Sequence, residues 1–141
     1  MDEIKTGFDE EAKTEKAEVV KPRPYLVWKV NDKEYKLKLT TSVITKLEEQ
    51  FDTTLTNAVL DDGIPSMRTV VSILQGAMIK FQHGVKSSEV ADLVDEYIES
   101  GKTLMDLLGD VIYPLMQDAG FFTSAMMAEI KKELKNIDTN L

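Results

Sequence analysis

The sequence predicts an α+β fold, an N-terminal β-hairpin packed on a bundle of four to five helices. Three observations predict it. Two short runs, YLVWKV (Tyr25 to Val30) and EYKLKL (Glu34 to Leu39), are rich in β-branched, aromatic and alternating residues, with Asn31-Asp32 between them as turn chemistry. After Leu39 the apolar period changes from two to three and four, and later apolar stretches keep that helical spacing. Ser or Thr before these stretches and Gly, Asp or Pro around their ends supply start and stop signals.

Taken in order, residues 1–20 are polar, with seven acids and three lysines and no sustained periodicity. Such a segment buries too little apolar area to offset its ordering entropy. Residues 1–24 are therefore expected to be a flexible acidic tail closed by a proline-containing linker, KPRP. In the second strand Tyr35, Leu37 and Leu39 face one way and Glu34, Lys36 and Lys38 the other. A lone hairpin is marginal in water, so its apolar face must cover the helices that follow. Thr40, Thr41 or Ser42 can cap the first helix, in which Ile44, Leu47 and Phe51 form a stripe. A short turn, Leu55 to Leu60, precedes Asp61-Asp62-Gly63.

Ser66 is the expected cap of the next helix, with Val70, Val71, Leu74, Ala77, Met78 and Phe81 apolar and Gly84 placed as a left-handed end. Ser87 or Ser88 opens another, with Val90, Leu93, Val94, Tyr97 and Ile98 on one face; Gly101 ends it. Thr103 and Asp106 form a capping-box pattern ahead of Leu104, Leu107, Leu108, Val111, Ile112 and Leu115. Pro114 falls well inside that helix, where a kink or an early end is expected. A weakly amphipathic segment, Ser124 to Ile137, closes the chain. The expected division is a tail (1–24), a core (25–122) and a C-terminal helix (123–141) that docks loosely or binds a partner.

The sequence carries little reactive chemistry. The chain has no cysteine, which excludes disulfides and thiolate sites and fits a reducing cytoplasm. His83, the only histidine, sits beside Gly84, where a cation complements a helix end. Asp92, Asp95, Glu96 and Glu99 share one face, but it is the face opposite the apolar stripe and reads as solvated. Phosphate-binding, nucleophile-elbow and zinc-protease patterns are missing, as is the twelve-residue calcium loop at Asp61-Asp62-Gly63. No catalytic residue, metal site or cofactor is expected, and the chain reads as no enzyme.

A formal net charge of -8 opposes nonspecific nucleic-acid binding. The six basic residues of 21–40 lack an accompanying arginine or aromatic cluster and read as protection of a hairpin edge. Trp28 and Tyr25 read as core anchors rather than a base-stacking platform. No apolar run approaches the ~20 residues of a membrane span, and the acidic N-terminus is unlike a signal peptide. Seven methionines are many for 141 residues, and methionine suits both cores and adaptable surfaces. The nominated partner-binding residues are Phe121 and Phe122 near the Pro114 region, with Met126, Met127, Ile130 and Leu134 of the last helix.

The run YKLKLTTSVITKLEEQFDTTLTNAV resembles the opening of tail assembly chaperones from long-tailed phages and prophages of Gram-positive hosts. The resemblance continues through IPSMRTVVSILQGAMIKFQHGV, VADLVDEYIESGKTLMDLLGDVI and DAGFF, and covers about residues 25–122. It rests on the order of these capped amphipathic helices rather than on any single motif. The resemblance implies a non-enzymatic protein of the host cytoplasm that binds the tape measure protein, keeps it soluble during tail tube assembly and is missing from the finished virion. It also implies a longer frameshifted form that recruits tail tube protein, this chain being the short form. A homo-oligomeric coat on the long partner fits that role. Two other readings stand beside it: a small acidic regulatory or inhibitory binding protein, and a metal-dependent enzyme built on Asp92, Asp95 and Glu96.

Overall fold

A computed structural model describes residues 23–61 and 63–140, with side chains to residue 136. The expected flexible tail lies outside the described residues. Strands β1 (Leu26–Val30) and β2 (Lys33–Leu37) form an antiparallel pair, in register from Leu26 opposite Leu37 to Val30 opposite Lys33. The two-residue connection is made by Asn31, which takes a left-handed φ of 55°, and Asp32. Asparagine tolerates that conformation better than most side chains. Seven helices follow among the described residues: α1 (Thr41–Phe51), α2 (Leu55–Leu60), α3 (Met67–Met78), α4 (Ser87–Glu99), α5 (Leu104–Leu107), α6 (Tyr113–Asp118) and α7 (Ser124–Asn140), with a π-helical turn at Leu108–Ile112 joining α5 to α6. The architecture is α+β, a hairpin on a helical bundle.

Local chemistry accounts for the helix starts. Thr40 Oγ1 accepts from the Val43 amide and caps α1, and Ser66 Oγ accepts from the Thr69 amide and caps α3. The capping box closes in both directions, Thr103 N–H to Asp106 Oδ2 at 2.9 Å and Asp106 N–H to Thr103 Oγ1 at 3.1 Å. Helix α4 opens at Ser87, one of the two serines expected to open it. Lys86 takes the cap position, and its backbone N–H donates to the Glu89 carboxylate at 2.7 Å. Gly84 does adopt a left-handed φ of 76°, but α3 has already ended at Met78 and an irregular turn lies between them.

The inner face of the hairpin, Leu26, Trp28, Val30 and Leu37, is buried against the helices. Trp28 lies 6.3 Å from the Tyr35 ring and 5.9 Å from the Tyr97 ring, joining both strands to α4. The α5–α6 run is buried nearly all round, through Leu107, Leu108, Ile112, Leu115 and Met116. A segment apolar on every side belongs in the centre of a core. Pro114 does not end this helix. It sits in the first turn of α6, directly after the π turn, where the Tyr113 amide bonds the Leu108 carbonyl five residues back. Proline lacks the N–H a continuing α-helix needs and collides with the carbonyl four residues earlier. The wider turn takes up that conflict by shifting the hydrogen-bond register.

Gly76 is buried where α3 crosses α1, and a Cβ there would lie 2.8 Å from Val43 Cγ1. Val43 is stiff and short, so it cannot swing aside. Gly76→Ala is therefore expected to destabilise by about 1–2 kcal/mol despite the better helix propensity of alanine. Val43→Ala in the same chain should recover part of that loss. Urea unfolding of the two single variants and the double variant measures the coupling.

Candidate partner-binding surface

The six nominated residues divide sharply. Phe122 and Met127 are buried in the core, and Phe121, Ile130 and Leu134 are partly buried against it; Met126 alone is 47% exposed. The Phe122 ring meets Tyr113 edge-on at 6.5 Å. Thr123 caps α7, accepting the Met126 amide at 3.1 Å, and this cap aims Met127, Ile130 and Leu134 inward. Leu134 reaches the π turn, its Cδ1 3.6 Å from where a Cβ on Gly109 would stand. The apolar stripe of α7 is thus its docking face on this domain.

A groove lies elsewhere, where α3 passes between the end of α1 and the start of α4. Its volume is about 500 Å³. Met67, Val71 and Gln75 of α3 form one wall, and Ser87, Ser88 and Ala91 of α4 the other. Met67 is 42% exposed, and Ile64 just before the helix is exposed as well. A second hollow of about 340 Å³, between α1, the Thr53–Ala58 segment and the start of α3, adjoins the groove through Gln50 and Arg68. Gln50 Nε2 donates to Ser72 Oγ at 3.0 Å and ties α1 to α3 at the surface. Methionine and valine on one wall with small side chains opposite make a trough into which an apolar helix stripe can settle closely. The groove is not legible in the sequence because its walls come from two helices whose outward residues carry no joint local pattern. The one available signal was Met67, directly after the Ser66 cap and off the buried stripe of α3.

The reactive groups stay apart. His83 is exposed in the turn after α3, and Asp92, Asp95, Glu96 and Glu99 are exposed along α4. Among the described residues no three His, Asp or Glu side chains gather as a metal-binding group. No helix among the described residues is long and apolar enough to cross a membrane. Tyr97 is the most perturbed titratable group among the described residues. Burial first, and then the nearby negative charges of Asp110 and Asp106, push its phenol up to about 12. Burial also raises Tyr113. Both phenols hold their protons more tightly folded than unfolded, so the stability they contribute is complete below the ordinary tyrosine value and is lost above it, the Tyr97 share as pH rises through about 12. Alkaline unfolding is expected in that window, with tyrosinate absorbance appearing alongside the loss of helix, and Tyr97→Phe should move the midpoint upward.

A family model matches residues 25–141, from the residue before β1 to the end of the chain. The chain belongs to DUF6096, a family of unknown function. The match takes in both walls of the groove and all of α7. No curated protein and no solved structure matches the chain.

Proposed function

We propose that this protein is a non-enzymatic binding protein, a tail assembly chaperone of a long-tailed phage or prophage that holds the tape measure protein soluble in the host cytoplasm and leaves before the virion is complete. The observation that carries the binding role is the α1–α3–α4 groove, about 500 Å³ of open trough walled by Met67 and Val71 on one side and Ala91 with two serines on the other. A tape measure protein is long and helical, and an amphipathic helix presents one apolar stripe that such a trough receives. The net charge of -8 favours solubility of a chaperone and its cargo together. The sequence resemblance supplies the identity of the cargo. A frameshifted longer form that engages tail tube protein, and several copies along one cargo chain, belong to the same reading. The test is co-expression with the large helix-rich product encoded next to this gene, followed by pull-down and sizing. Cargo that is insoluble alone and soluble in complex is the expected result; cargo that stays insoluble and unbound overturns the reading.

A further inference from the structure

The hairpin has two outer edges, and among the described residues only one is covered. With Val30 and Lys33 closing the two-residue turn, the pairs at Trp28–Tyr35 and Leu26–Leu37 exchange the ladder hydrogen bonds. Glu34, Lys36 and Lys38 then turn their backbone groups outward from β2. There α3 and the turn after it meet them: Lys38 N–H donates to the Ala77 carbonyl at 2.8 Å, and the Gln82 amide, oriented to suit its neighbours, donates to the Lys36 carbonyl at 3.2 Å. On β1 the same alternation turns Val27 and Lys29 outward, and their backbone groups have no partner among the described residues. Val27 is 44% exposed.

A cleft of about 380 Å³ runs along this open edge. Val27, Trp28, Lys29 and Asn31 all line it, with Tyr97 and Val111 opposite. Neighbouring strand residues point to alternate faces, so they share one cleft only where it follows the strand's edge. Trp28 Nε1, on the same wall, is the one buried side-chain polar atom without a hydrogen-bond partner among the described residues. An uncovered edge of this kind is a template for one more strand.

We propose that the free edge of β1 is a strand-acceptor site and that its occupant is this chain's own N-terminal segment, residues 1–22. The segment ends at Arg23, which Asp118 holds at 2.9 Å, three residues before β1 begins. It is thus tethered beside the edge and reaches it at high effective concentration. Val19-Val20 is its one adjacent β-branched pair. An antiparallel register with Val20 opposite Val27 sets Glu18 opposite Lys29, an opposite-charge pair on the exposed face. The same register turns Val19 to the side of Trp28. The surplus of acids in residues 1–20 also complements Lys29 and Lys102 at the cleft, against a single Asp110 on its far wall. This site lies at the opposite end of α4 from the groove and stands whether or not that groove takes cargo.

Residue-resolved hydrogen exchange of the full chain tests it. The Val27 and Lys29 amides are expected to exchange at least about tenfold more slowly than an open edge. Val19→Pro/Val20→Pro should abolish that protection, while the β2-paired amides of Trp28 and Val30 report an intact hairpin. Glu18→Lys should weaken it, and Glu18→Lys with Lys29→Glu should restore it. Unprotected Val27 and Lys29 amides in the unaltered chain overturn the proposal. Protection that ignores the tail substitutions also overturns it, and if it fades on dilution the occupant is a second copy.

Discussion

Trp28→Ala is expected to remove about 3–5 kcal/mol of stability, the largest single effect in this chain. The indole is only 1% exposed and is the contact through which the hairpin grips α4, between the rings of Tyr35 and Tyr97. Alanine leaves a void that β1 cannot fill by settling, because its ladder to β2 fixes its height over the helices. Trp28→Phe should be much milder. Its Nε1 has no partner among the described residues, so the smaller ring loses area without losing a hydrogen bond. Urea titration reads both variants as a fall in midpoint at little-changed slope. An alanine variant within about 1 kcal/mol of the parent would mean that Trp28 is not an anchor of this core.

Met127→Asp is expected to cost about 2–4 kcal/mol, and Met126→Asp less than about 0.5. The two residues are neighbours in the sequence and opposites in environment, Met127 buried against the core and Met126 facing solvent. A carboxylate at position 127 would be stripped of water among the apolar side chains of the docking face. The outcome is release of α7, seen as partial loss of helix and faster exchange through the π turn that Leu134 covers. Equal effects at the two positions would show that α7 is not held by this stripe.

The local parts of the fold were legible because each rests on neighbours in the sequence. Thr40, Ser66 and the Thr103–Asp106 box stand as caps where the pattern put them. The alternation in EYKLKL gave the buried side of β2 through Leu37 and Leu39. What failed depended on partners far along the chain. Ile98 lies on the apolar side of its helix by spacing yet is exposed, because α4 has already passed the end of the hairpin. Ile73, off the expected stripe, is fully buried, and Gly76 is buried where α1 crosses over it. Pro114 signalled trouble in its helix, but a widened turn and a break look alike from sequence. The α7 stripe reads as fit for loose docking or for a partner, and nothing local reveals that Leu134 meets a glycine on the π turn where a close approach is free.

The most direct measurement is the affinity of the co-expressed cargo for three forms of the chain: unaltered, Ala91→Arg and Met126→Asp. Ala91 lines the groove and is only partly buried, so arginine there fills the trough without entering the core. The Ala91→Arg form is expected to stay folded and bind at least about tenfold more weakly, about 1.4 kcal/mol, while the Met126→Asp form binds like the unaltered chain. Full-strength binding by the Ala91→Arg form, with binding lost in Met126→Asp, would place the cargo on α7 and contradict the groove.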